Sequence, residues 1–281
     1  ELAARLRAQE GLLLGARGLF DAVGAQAAET VDASRAELVS RRAFHEFVSG
    51  LELERTYPGL KSLGYAAFVA QGARADLEAR ARREVPSYAI TPSGDGPATP
   101  ILFIEPRTER TSRVLGYDMA SDDVRRRAME RARDSGRVAM SGRVRLKGDR
   151  ESGGSASGFI LFAPVYRFGQ PHSSVAERQR ALAGYVFTPF HADEFARGAL
   201  AAPSEMELRI YDDASYDREL LHDGAQRPLD PAFIAIRDID VPGGKWRLAF
   251  ASRPRAEALV GRMRAWLVLG VGALISGLAF V

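Results

Sequence analysis

The chain has 281 residues, of which 46% are hydrophobic and 27% charged, with a formal net charge of +3. That is enough for one large domain or two smaller ones, and it excludes a disordered chain. With no cysteine, disulfides and thiolate chemistry are excluded; the arginines are interleaved with acids and lack stacking aromatics, so no nucleic-acid partner is expected.

Leu2, Leu6, Leu13, Phe20 and Val23 recur at helical spacing and predict one long helix to about Gly24. "SRRAFHEFVSGLEL" (40–53) is a second helix with Phe44, Phe47 and Leu51 on one face, closed by the turn "YPG" (57–59). The period then changes: "SLGYAAFVA" (62–70) reads as a strand, 73–85 as a helix, "TPSGDGPATP" (91–100) as a loop and "ILFIE" (101–105) as a strand.

"LGYDMASDDVRRRA" (115–128) has the grammar of a turn launching a helix. Gly116 suits positive φ, Ser121 is the expected cap, and Asp122 and Asp123 fall at the positive end of the dipole. Val124, Ala128 and Ala132 would share one face, the arginines would face solvent or brace carboxylates, and Ser135–Gly136 would stop the helix.

Three strands follow, at 137–147, 157–168 and 181–190, around a flexible loop "ESGGSASG" (151–158). Strands joined by short polar loops predict an antiparallel sheet. After His191 come a helix (192–201) and strands at 205–212, 233–241 and 245–252, the last two joined by "PGG" as a hairpin. The fold class is therefore α+β, with a larger and a smaller sheet-containing unit.

A helix over 253–264 leads into "AWLVLGVGALISGLAFV" (265–281), seventeen residues without a charge. Two readings are open, a buried core helix and a truncated transmembrane helix; the glycines at 270, 272 and 277 and Trp266 at its edge favour the membrane. With a first helix that begins abruptly, this gives the expectation of a domain set between two membrane spans.

Enzyme signatures are absent. His45, His172, His191 and His222 lack metal-ligand spacing, "GGSASG" holds no G-x-S-x-G in any register, and the glycines of "GVGALISG" lie in the hydrophobic tail. No catalytic residue, metal or cofactor is expected. Glu105, which ends an apolar strand before Pro106, is either a partly desolvated ligand anchor or a carboxylate paired with an arginine.

The ordered set E-P, L-G-Y-D, A-x-x-x-A-R-D-x-G, P-V-Y and G-Y, in "EPRTERTSRVLGYDMASDDVRRRAMERARDSGRVAMSGRVRL" (105–146), "GFILFAPVYR" (158–167) and "LAGYVFTPF" (182–190), resembles the CHASE domain family. So does "FHEFVSGLELERTYPGLKSLGYAAFV" (44–69). These are extracytoplasmic sensor domains of bacterial histidine kinases and nucleotide cyclases and of plant cytokinin receptors. The resemblance implies a long N-terminal helix that forms a homodimer, a membrane-distal PAS-like ligand-binding domain and a membrane-proximal PAS-like domain. On this chain that division is 1–55, 56–190 and 191–253, then a juxtamembrane helix at 254–264 and a membrane helix at 265–281.

In the plant receptors a carboxylate near the second distal strand anchors a small planar ligand, which points to Glu105, with Phe103 on the same strand. Ser141 matches a family threonine, Met129 lies near an apolar lining position, and Thr111 stands where bacterial members commonly carry Asn. Phe159, Leu161, Gly184 and Val186 alternate on the two central strands, as cavity lining or as ordinary core.

The expected function is small-molecule perception, with a nucleobase-like compound or a small amine or acid as ligand. The signal would pass to a cytoplasmic kinase or cyclase, with residues 1 to about 264 on the periplasmic side of a bacterial inner membrane. The alternative is a ligand-free structural module, or one that senses a protein partner.

Overall fold

A computed structural model describes residues 2–29, 39–57, 60–146, 157–199, 206–212, 219–224 and 234–252. Helix α1 spans Leu2–Glu29 and buries Leu2, Leu6, Leu13, Ala16 and Phe20, which repeat every three to seven positions. It runs past Gly24 because that glycine is a point of close approach and not a stop: a Cβ there would lie 2.6 Å from Cβ of Phe168. Helix α2, Arg41–Gly50, starts where the Ser40 hydroxyl accepts from the Ala43 amide at 3.1 Å, and it buries Phe44 and Val48. A single turn, α3 (Leu53–Thr56), leads to the first strand.

The larger sheet comprises β1 (Leu63–Ala67), β2 (Ile101–Glu105), β3 (Ala139–Met140), β4 (Val144–Arg145), β5 (Ser157–Tyr166) and β6 (Leu182–His191), all antiparallel. Its order is β2-β1-β6-β5-β3, with β4 also pairing β5. Helix α4 (Arg74–Ala81) lies between β1 and β2; α5 (Glu109–Ser112) and α6 (Asp123–Ser135) lie between β2 and β3. The expected strand over 137–147 is broken into β3 and β4, because Ser141 turns its hydroxyl onto the chain: it accepts from the Ile160 amide at 2.9 Å and donates to the Gly142 carbonyl at 2.8 Å.

The sheet has two buried faces. One packs Leu63, Tyr65, Phe103, Phe159, Leu161, Val186 and Phe190 into a core shared with α1 and α2, where Phe20 meets Tyr65 at 4.4 Å between ring centroids. The other packs Ala66, Ile101, Ile104, Ile160, Phe162 and Phe187 beneath α6. A register shift between Tyr65 and Ala66 skips Leu102, so Ile101 and Ile104 share a face although they are three residues apart.

Helix α6 begins one residue later than expected. Asp122 is its cap, accepting from the Arg125 amide at 3.1 Å, whereas Ser121 ends a short 3-10 turn, Met119–Ser121, capped by Asp118. Its buried face is Arg125, Ala128, Met129 and Ala132, and Val124 is exposed. Gly136 ends it with φ of 72°. A short helix without a counterpart in the sequence reading, α7 (Val175–Ala181), opens on a capping box between Ser174 and Glu177.

Helix α8 (Ala192–Ala199) leads to a second antiparallel sheet of β7 (Met206–Asp212), β8 (Glu219–Asp223), β9 (Ile234–Val241) and β10 (Gly244–Ser252), ordered β8-β7-β10-β9. The hairpin at Pro242–Gly244 is as expected, with Gly243 at φ of 78°; β8 had no counterpart in the sequence reading. Trp246 of β10 sits edge-on to Phe159 of β5 at 5.1 Å and to Phe195 of α8 at 5.9 Å, so one aromatic cluster joins the two sheets. The Met140 amide donates to the Pro242 carbonyl at 2.8 Å, and His222 Nδ1 lies 2.6 Å from Asp193 Oδ1. Among the described residues, no helix is long and apolar enough to cross a membrane. The expected helices at 253–264 and 265–281 lie outside the described residues.

Candidate functional site

A cavity of about 240 Å³ lies on the α6 face of the larger sheet. Its floor is Ile101 and Ile104 of β2, Ile160 of β5 and Phe187 and Pro189 of β6. Its walls are Pro106, Thr108, Arg110, Thr111 and Val114 around α5, then Tyr117, Met119 and Arg125; Lys61, Ser62, Leu146 and His191 complete it. Gly64 keeps this space open, because a Cβ there would come within 2.4 Å of Phe187 Cζ and drive the ring aside.

The loop before α6 is held by buried polar contacts. Gly116 has φ of 81°, and a Cβ on it would stand 2.0 Å from the Ala89 carbonyl oxygen, so only glycine fits. Asp118 is buried, accepting from the Thr99 amide at 2.7 Å and from Arg74 Nη2 at 3.3 Å. Thr111, at the position of the family's Asn, completes a capping box with Thr108: the Thr108 amide donates to its hydroxyl at 2.8 Å, and that hydroxyl donates to the Pro106 carbonyl at 2.9 Å.

The arginines of this segment are expected to face solvent or brace carboxylates, and Arg125 does the second, bracing Asp122 from a buried position. It is only 2% exposed. Its Nη1 lies 2.8 Å from the Asp122 carboxylate, its Nη2 donates to the Arg145 carbonyl at 2.6 Å, and the guanidinium stands 5.5 Å from the centre of the Tyr117 ring. Its Nε has no hydrogen-bond acceptor among the described residues. On α5, Arg110 Nη2 lies 2.6 Å from His191 Nε2. Burial pushes the His191 pKa below its ordinary value, against Glu194, so the neutral ring accepts from Arg110. Lys61 pairs with Glu194 at 3.2 Å.

The eight residues proposed from the sequence are placed elsewhere. Phe103, Phe159, Leu161 and Val186 belong to the core on the α1 face. Gly184 keeps β6 close to β1, since its Cβ would fall 2.3 Å from the Ala66 carbonyl oxygen. Met129 is buried under α6, and Ser141 holds the β3–β4 break. None of the eight lines the cavity.

Glu105 is buried, with its carboxylate 3.1 Å from His45 Nδ1 of α2; its near neighbour is thus a histidine and not the arginine considered above. It lines a second hollow of about 510 Å³ with Val48, Glu52, Arg55 and Arg107. Among the described residues, no group of three or more His, Asp or Glu side chains gathers as a metal site.

A signal for Arg125 was present in the sequence. Arg125, Ala128, Met129 and Ala132 stand at i, i+3, i+4 and i+7, which places the arginine on the apolar stripe. On β2, the shift at Leu102 puts Ile101 on the face of Ile104, which simple alternation along the strand does not show.

A family model described as CHASE domain matches residues 37–222. Among solved structures, the chain is similar to the extracellular domain of a protein assigned as a histidine kinase, at 14% identity over 92% of each chain with a TM-score of 0.42. No curated protein matches the sequence.

Proposed function

We propose, from the premise that this chain belongs to the CHASE domain family, that it is the extracytoplasmic sensor region of a signalling receptor and takes a small molecule in the 240 Å³ cavity. The carrying observation is that cavity itself: a mainly apolar hollow with a few convergent polar groups, closed by a loop and a helix. The unit at 56–190 is then the ligand-binding PAS-like domain, a reading supported by its single antiparallel sheet with α6 over the cavity face. The unit at 191–253 is the membrane-proximal one, residues 1 to about 264 are periplasmic, and a kinase or cyclase is the output.

Transmission has a physical route. On α6, Arg125 lines the cavity and Arg131 donates to the Met140 carbonyl at 2.9 Å, while the Met140 amide donates to Pro242 in the β9–β10 turn. A ligand that favours one position of α6 thereby biases the second sheet. The apolar stripe of α1 is occupied by this chain's own core, so a homodimer through α1 uses its other face, where Leu14 is exposed.

A partner-sensing role has one observation in its favour: Ile234 and Ile236 of β9 are 59% and 61% exposed. Thermal-shift screening of nucleobase-like compounds and small acids and amines, against wild type and Ile160→Trp, separates the two. A ligand at about 100 times its Kd stabilises by about 2.7 kcal/mol. That gain should vanish when tryptophan fills the cavity and should come with altered hydrogen exchange at 234–252. A shift produced by a protein partner and by no small molecule would reject the ligand-sensor reading.

A further inference from the structure

The geometry points to a small amphipathic carboxylate as the ligand of this cavity, a proposal that rests on the sensor reading above. The charged residues of the lining are all cationic, Lys61, Arg110 and Arg125; the carboxylates that pair with Lys61 and Arg125, Glu194 and Asp122, are not among the lining residues. The two arginines converge. Arg125 holds the carbonyl of Arg145, which pairs with Ser157, and the next residue, Gly158, pairs with His191, which is held by Arg110. Both guanidinium groups therefore sit at the same end of β5 and β6.

Arg125 supplies the specific demand for an acceptor. Its Nη groups are engaged by Asp122 and the Arg145 carbonyl, yet its Nε–H is buried without a partner. A buried charged donor left unmade is costly, and a carboxylate oxygen is a strong remedy for it. His191, neutral and already accepting from Arg110, does not compete as an anion. The apolar part of the lining, Ile101, Ile104, Val114, Met119, Ile160 and Phe187, suits a hydrocarbon body, and Ser62, Thr108, Thr111 and Tyr117 add hydroxyl-bearing side chains. A cavity of 240 Å³ holds about eight water-sized groups, so the ligand is a short aliphatic or single-ring acid.

Calorimetry on the purified chain with benzoate and hexanoate, against the isosteres benzamide and benzylamine and against adenine, tests the proposal. The carboxylates should bind saturably and roughly 10-fold or more tighter than the amide, with no binding of the amine. Arg125→Gln should weaken benzoate by roughly 10- to 100-fold and Arg110→Gln by less, and in both variants the preference for benzoate over benzamide should narrow. The isostere comparison uses the unmodified chain and so holds even if Arg125→Gln does not fold. Equal binding of benzamide, preference for benzylamine or adenine, or no saturable binding of either carboxylate up to about 10 mM overturns the anion proposal. If such a neutral or cationic ligand is blocked by Ile160→Trp, the sensor cavity stands and only the ligand class falls. If binding survives Ile160→Trp, the cavity reading falls with it.

Discussion

Trp246→Ala tests whether the second sheet depends on one aromatic joint. Trp246 is fully buried between Phe159 and Phe195, and Phe159 is itself stacked on Phe190 at 5.1 Å, so the surroundings are poorly placed to collapse into the hole. Truncating a buried aromatic to alanine costs about 3–5 kcal/mol, and two lost edge-on ring contacts place this site in the upper half of that range. One term opposes it. The indole Nε1 has no acceptor among the described residues, so removing it relieves an unmade donor worth about 1–3 kcal/mol. Trp246→Phe keeps a ring and removes that donor, so its cost should be about 1 kcal/mol or less.

Thermal unfolding followed by circular dichroism reads both variants. With the opposing term the net cost is about 1–4 kcal/mol, so at about 2–4 °C per kcal/mol for a chain of this size the alanine variant should lose roughly 2–16 °C, and more than the phenylalanine variant, which should lose no more than roughly 4 °C. Hydrogen exchange should show the loss in β7–β10 before β1, β5 and β6. Equal losses for the two variants would refute the reasoning, because they would mean that the indole N–H is satisfied and contributes as much as the ring. A loss in the alanine variant of under about 1 kcal/mol would refute the joint itself.

Gly116→Ala and Gly136→Ala incur the same penalty for positive φ, near 80° and 70°, but only at Gly116 does the new Cβ strike backbone, 2.0 Å from the Ala89 oxygen, against 3.4 Å from a side-chain carbon at Gly136. The Gly136 variant should lose about 1 kcal/mol and the Gly116 variant more than about 3, measured by urea denaturation; equal losses would remove the clash from the account. Gly64→Ala should push Phe187 into the cavity, at a cost of about 1–3 kcal/mol and with weaker benzoate binding; unchanged calorimetry would show that the ring yields in another direction. Ser141→Ala strands the buried Ile160 amide and should lose about 1–3 kcal/mol without touching ligand affinity, whereas a selective loss of affinity would restore Ser141 to the binding site. His191 faces Glu194 and Asp193, which favour its charged form, and Arg110 and Lys61, which oppose it; burial outweighs the acids and its pKa is depressed. The unfolded chain then binds more protons, so His191's stability contribution is complete above its ordinary pKa of 6.5 and is lost as pH falls toward the folded value. Wild type minus His191→Gln, compared at neutral and acidic pH, should show that loss, and a flat difference would contradict it.

What could be read from residues alone follows from how local each signal is. The strands β1, β2, β5, β6, β9 and β10 carry dense apolar runs bounded by turns, and they appear within a few residues of expectation. Helix α7 was missed although Ser174 and Glu177 spell a capping box, because only seven residues follow it and its apolar stripe is too short to show a period. The facing of the sheet was harder. Strict alternation groups Ile101 with Phe103 and Glu105, but the shift at Leu102 sends Ile101 to the cavity with Ile104 and leaves Phe103 and Glu105 on the side of α2. On β5 and β6 the alternation is as expected and leaves cavity lining and ordinary core both open: Phe159, Leu161 and Val186 lie in the core shared with α1, whereas Ile160 and Phe187 lie on the α6 face. Strands buried on both sides carry no polar alternation to say which face is which. That ambiguity is resolved by what packs above each face, and for this chain the deciding residue is a charge. Arg125 on the apolar stripe of α6 sets a buried charge beside the 240 Å³ cavity, and that combination is why the proposed site is placed on this face of the sheet.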